Sequence, residues 1–182
     1  MILVFGVAGS GKSTQSQLLV DKTGRTWISM GQLFRDKMAK EMAEYIKTGK
    51  LVSDEVTMGL LEQELKEQLP DHKIILDGFP RRVGQAKWLI KNLPLLGDSI
   101  EAAVHLVAKE QTVKDRMIAR GRSDDSVQAI TKRFEEFRNE VEPTLKYIAD
   151  QDIPVLEIDG EQLPEEIHKH IYNTLVNIGV KL

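Results

Sequence analysis

Apolar residues fall along this chain in two rhythms. Short apolar runs at Ile2–Phe5, Lys73–Asp77, Ala102–Val107 and Pro154–Ile158, with a weaker one at Thr26–Met30, have the length and content of buried strands. Between them run longer stretches with helical spacing: Lys12–Val20, Asp54–Leu69, Gln85–Leu93, Thr112–Arg120, Asp125 to about Asp150, and Pro164–Val180. In the second of these, Val56, Leu60, Leu61, Leu65 and Leu69 make one apolar stripe. Strands alternating with helices predict an α/β fold, a five-stranded, mostly parallel sheet with helices on both faces. Two segments interrupt the alternation. Met30 to Val52, punctuated by Gly31 and Gly49, reads as a small helical excursion, and Arg120–Asp125 as a short charged tip between helices. Both belong at the carboxyl ends of strands, where open α/β sheets bind ligands.

Composition narrows the chemistry. At 182 residues and 41% apolar content the chain suits a single domain with a real core. Twenty-five basic against 28 acidic side chains leave a net charge of −3, which argues against an electrostatic nucleic-acid role. With no cysteine, thiol catalysis, disulfides and a structural zinc held by cysteines are excluded, and the four histidines offer little for a metal. The first apolar run is far shorter than the roughly 20 residues that span a bilayer, and no basic stretch precedes it as in a signal peptide. The expectation is a cytoplasmic protein with no membrane partner.

Gly6-Val7-Ala8-Gly9-Ser10-Gly11-Lys12-Ser13 satisfies the pattern G-x-x-x-x-G-K-[ST], directly after a strand and before a helix. Glycines let successive main-chain N–H groups turn inward around a polyphosphate, and the helix adds its positive end. Gly9, Ser10, Gly11, Lys12, Ser13 and Thr14 are thus candidate phosphate ligands, with the Ser13 hydroxyl near Mg²⁺. The bland alternative is a glycine-rich turn with a solvated lysine. Asp77, ending the third run, is a candidate second contact to Mg²⁺, directly or through water; taken alone it would read as a turn.

Taken together, the phosphate loop, Ile28–Arg35, Gly49–Glu55, Asp77-Gly78-Phe79-Pro80-Arg81 with Gln85, and the arginines near residue 120 resemble the adenylate kinases and their nucleoside-monophosphate kinase relatives. The resemblance runs in order over nearly the whole chain. It implies a P-loop kinase fold forming one unit: a core at 1–28, 59–115 and 128–182, a monophosphate-binding segment at 29–58 and a short lid at 116–127. It further implies that Arg35 and Arg81 grip the acceptor phosphate, that Met30, Lys50, Leu51, Val52 and Gly78 line the acceptor base, and that Gln85 reads its edge. Arg116 would lie over the donor adenine beside Gly160, Arg120 on the donor phosphates, and Arg122 and Arg133 on the phosphoryl group in transfer. The implied partners are ATP, as its Mg²⁺ complex, and a monophosphate, handled by a monomer.

Charge arithmetic agrees with that implication. MgATP and a monophosphate together carry about −4, and Lys12, Arg35, Arg81, Arg120, Arg122 and Arg133 would bring six positive groups to them. Arg82, Arg138 and Lys132 read as solvated cations. Three features depart from the family's usual pattern: Val7-Ala8 and Ser13-Thr14 in the loop, Met30 where relatives carry threonine or alanine, and a single glycine between Arg120 and Arg122. AMP is the expected acceptor. Alternatives are UMP or CMP, a small metabolite, or a binding protein that uses the nucleotide without catalysis.

Overall fold

In a computed structural model of the chain, the described residues are 1–37, 52–69, 73–121 and 127–182. Among them, five strands, β1 (Ile2–Phe5), β2 (Thr26–Ser29), β3 (Ile74–Asp77), β4 (Ala102–Val107) and β5 (Val155–Asp159), form one parallel sheet in the order β2-β3-β1-β4-β5. The helices are α1 (Lys12–Thr23), α2 (Met30–Lys37), α3 (Asp54–Gln68), α4 (Val83–Asn92), α5 (Glu110–Arg120), α6 (Val127–Glu136), α7 (Glu142–Ala149) and α8 (Pro164–Asn177). A π-helical turn, Phe137–Val141, joins α6 to α7, so the long pattern after Asp125 is a bent run of helix.

The short apolar runs are strands because the sheet is covered on both sides. Leu3 and Phe5 of β1 face a core with Leu61, Leu76, Leu89 and Ile148, while Ile2 and Val4 face the other with Leu19, Val104, Ile171 and Leu175. Each fully buried aliphatic side chain contributes about 1.5–3 kcal/mol, so this double layer fixes the sheet. Helix α3 begins at Ser53, whose Oγ accepts the Val56 N–H at 3.3 Å, and buries Thr57, Leu61 and Leu65 one turn apart. Among the described residues no helix is long and apolar enough to cross a membrane.

Because every strand runs the same way, all carboxyl ends lie along one edge. The chain leaves β3 on one side of β1 and enters β4 on the other, so the crevice opens beyond β1. A third cluster, Val7, Val113, Met117, Ile130 and Phe134, packs α5 and α6 against the loop that follows β1.

Candidate active site

The loop after β1 bends because Gly6 and Gly9 take left-handed φ angles of 145° and 91°. A methyl on Gly6 would come within 2.8 Å of the Leu106 carbonyl oxygen, so glycine is required by space as well as by conformation. Among the described residues α1 takes no side-chain cap, and its first turn holds no acidic residue, which leaves its N–H groups for an anion. Lys12 arches back over the loop, its Nζ donating to the Gly6 carbonyl at 2.8 Å and the Val7 carbonyl at 3.2 Å. Burial holds its ammonium below the ordinary lysine value; Asp77 opposes this, and Arg81, Arg120 and Arg133 reinforce it. Three arginines and one carboxylate therefore act on Lys12 at the loop.

That anion, Asp77, ends β3 opposite Val4 and is 5% exposed. Burial pushes its carboxyl up, while Lys12 and Arg81 pull it down. Its Oδ1 is buried with no hydrogen-bond partner among the described residues. The chain then turns through Gly78, at φ 84°, and the buried Phe79, which meets Trp88 edge-on at 6.1 Å. Arg81 follows, its Nε donating to the Gly78 carbonyl at 3.2 Å, with Glu136 and Arg133 of α6 among the charges that act on it.

On the far side, Arg116 Nη1 donates to the Gly160 carbonyl at 2.8 Å, bringing two candidate donor residues together. The Gly160 N–H donates to the Val107 carbonyl at 2.7 Å. Beside this turn, Glu161 accepts the Lys109 main-chain N–H and the Thr112 hydroxyl, tying the start of α5 to the end of β5.

Around Arg35, a candidate for the acceptor phosphate, Ser13, Trp27, Ser29, Gln32 and Glu64 line with it a cleft of about 430 Å³. Arg35 Nη2 donates to Gln32 Oε1 at 2.7 Å, one turn back along α2. Met30, expected to line the acceptor base, is 1% exposed; it packs in the core, with its Cβ close to Gly78. Val52 lies half-buried just ahead of α3, and Thr14 is exposed on α1. Lys50, Leu51 and Arg122 lie outside the described residues.

A sequence profile of the family described as adenylate kinase matches residues 4–153. The chain belongs to the adenylate kinase family. It is similar to adenylate kinase 1 of a Nostoc species, at 33% identity over 96% of this chain and 97% of the relative. It is also similar to an adenylate kinase of Nocardia farcinica, at 34% over 96% and 98%, and to one of Mycolicibacterium paratuberculosis, at 37% over 82% and 86%. The chain is therefore a phosphotransferase of this family.

Within this adenylate kinase fold, Arg82, Asp54 and Glu161 carry more than their sequence suggested. Arg82, read as a solvated cation, donates to Asp54 Oδ1 at 2.9 Å, and Gln85 donates to the same oxygen at 2.8 Å. Glu161 is the third. Asp54 follows a helix cap, and Glu161 follows the Asp159-Gly160 turn, so each stands next to a recognisable punctuation mark. Nothing local marks them further, because their partners are distant in sequence.

Proposed function

We infer that this protein transfers the γ-phosphoryl group of ATP reversibly to AMP, giving two ADP. The observation that carries this reading is the buried carboxylate of Asp77 at the mouth of the phosphate loop, acted on by Lys12 and Arg81, with Arg120 and Arg133 acting on Lys12 in turn. A loop with this many cations in reach suits the charge of two nucleotides. Membership of the adenylate kinase family supports the same substrates, and the Arg116–Gly160 contact supports the donor base at that turn.

The acceptor's phosphate oxygen is already anionic, so the reaction needs no general base. Positioning and charge neutralisation of an in-line transfer remain as the protein's work. Lys12 and Arg120 would hold the donor phosphates, Arg35 and Arg81 the acceptor phosphate, and Arg122 and Arg133 the group between them. Residues 29–58 would surround the acceptor and 116–127 the phosphates, keeping water from the site.

Mg²⁺ bound with ATP would neutralise charge on the transferring phosphates. Among the described residues no three His, Asp or Glu side chains gather as a metal cage. The buried, unpartnered Asp77 Oδ1 and the Ser13 hydroxyl fit the few protein contacts that Mg²⁺ takes when phosphates and water supply the rest.

The test is phosphoryl transfer from MgATP to AMP, CMP, UMP, GMP and dTMP, with a control lacking acceptor. Rapid ADP formation with AMP is expected. Preference for a pyrimidine monophosphate would move the acceptor assignment, and no transfer to any of them would overturn the reading.

A further inference from the structure

Gln85, at the third position of α4, turns back over the start of its own helix. Its Oε1 accepts the Arg81 main-chain N–H at 2.8 Å, and its Nε2 donates to Asp54 Oδ1 at 2.8 Å. That carboxylate oxygen also accepts Arg82 Nη1 at 2.9 Å, so Asp54 is pinned between the arginine and the amide. Arg82 is anchored in turn, its Nε lying 3.7 Å from Glu140 Oε2 in the π-helical turn. Gln85 is 5% exposed, so its amide sits in the wall and not on the surface.

A carboxamide has nearly the same shape at its two ends and opposite chemistry. Here each end has a partner that permits one choice, because a main-chain N–H only donates and a carboxylate only accepts. Turning the amide over would set NH₂ against N–H and carbonyl oxygen against carboxylate. Two hydrogen bonds would be lost, one of them to a carboxylate. The existing contacts use one of the two lone pairs on Oε1 and one of the two hydrogens on Nε2, leaving one acceptor and one donor for a ligand.

We propose that Asp54, held by Arg82, is a specificity-determining residue: it locks the Gln85 amide in the orientation that accepts a 6-aminopurine monophosphate and rejects a 6-oxopurine. This rests on the reading above in which Gln85 faces the acceptor base. Adenine presents an N6–H donor beside the N1 acceptor, whereas hypoxanthine and guanine present the O6 acceptor beside an N1–H donor. For a base held in one position, a fixed amide pairs with one of these patterns and opposes the other. Without Asp54 the Arg81 N–H holds the orientation by one bond instead of two, and an amide less firmly held rotates more readily to serve both. Asp54 acts through Gln85, without touching the base.

AMP and IMP separate the cases because they differ only at this edge. The experiment measures kcat/KM for both acceptors in the wild type, Asp54→Ala, Asp54→Asn and Gln85→Leu. Asparagine keeps the size of the side chain at the start of α3 while offering Gln85 either a donor or an acceptor. Both Asp54 variants are expected to lower the AMP-to-IMP ratio, by roughly tenfold or more for alanine, within the range that a bidentate contact to a base edge provides. A merely structural role would reduce both acceptors equally and leave the ratio intact. An unchanged ratio in both Asp54 variants, with a lowered ratio in Gln85→Leu, overturns the proposal and leaves Gln85 at the base. An unchanged ratio in Gln85→Leu as well removes Gln85 from the base and overturns both.

Discussion

Thr112 donates its hydroxyl to Glu161 at 2.7 Å across 49 residues of chain, and the same carboxylate oxygen accepts the Lys109 N–H at 3.0 Å. The bridge fastens the start of α5, which carries Arg116, to the turn that carries Gly160. Glu161→Ala should therefore raise the KM for ATP by roughly 3- to 10-fold, the size of one or two lost hydrogen bonds, and leave the KM for AMP unchanged. Steady-state kinetics with each substrate varied in turn will check this. An equal rise in both would mean general loosening instead.

The same bridge carries a pH signature. The Thr112 hydroxyl and then the Lys109 main-chain N–H hold the Glu161 carboxyl at about 2, against 4.5 for a free glutamate. A folded value below the unfolded one stabilises the fold above the unfolded value, and that stability is lost as pH falls from 4.5 toward about 2. Wild type should thus melt higher than Glu161→Gln near neutral pH, and the gap should close as the pH is lowered through that window. A constant gap in Tm would show that the charge of Glu161 plays no part.

Lys12 offers a case where function and stability oppose each other. Burial disfavours its ammonium, so the folded value lies below the unfolded one of 10.5, and the charge costs stability that is recovered as pH rises from the folded value to the unfolded one. Lys12→Met, neutral and of similar length, should lower turnover by about 10²–10³-fold or more while Tm holds or rises. Calorimetry beside the transfer assay will decide. A fall in Tm would show that the bonds to the Gly6 and Val7 carbonyls outweigh the buried charge.

Gly160 has no room to grow. A methyl there would lie 3.1 Å from the carbonyl oxygens of Ser10 and Val107, and main chain on both sides resists moving. Gly160→Ala should push the turn away from the phosphate loop, lowering stability by about 1–3 kcal/mol and weakening ATP more than AMP. Equilibrium binding of each nucleotide, with denaturant unfolding, measures both effects.

Met30 should behave as a core residue. At 1% exposure among Phe79, Leu61 and Leu76, truncation to alanine leaves a cavity and should cost about 2–5 kcal/mol. The order of acceptor preference should survive it. A switch from AMP to a pyrimidine acceptor in Met30→Ala would place the side chain at the base instead.

Much of the fold was legible because its signals are local. β1, β3 and β4 are mostly apolar since both faces are covered, and α3 shows its cap, its acidic first turn and its stripe within sixteen residues. Less legible was the stretch after Asp125, where a continuous helical pattern hides the π-helical turn at Phe137–Val141. A π-helical turn inserts one residue without changing the composition, and packing against the sheet decides where it falls.

The candidate site divides along the same line. Gly6–Ser13 is legible in the sequence alone because strand, loop and helix are contiguous, and the glycines that permit the turn are neighbours of the lysine that uses it. Which strands lie side by side was decided only in three dimensions, where the order β2-β3-β1-β4-β5 sets Asp77 beside the phosphate loop. Arg82 read as a solvated cation because its partner Asp54 stands 28 residues away, and Met30 read as pocket lining because nothing local shows that it turns into the core. Side chains declare what they can donate, accept or bury. A parallel sheet gathers distant loops on one edge, and that gathering chooses the partner.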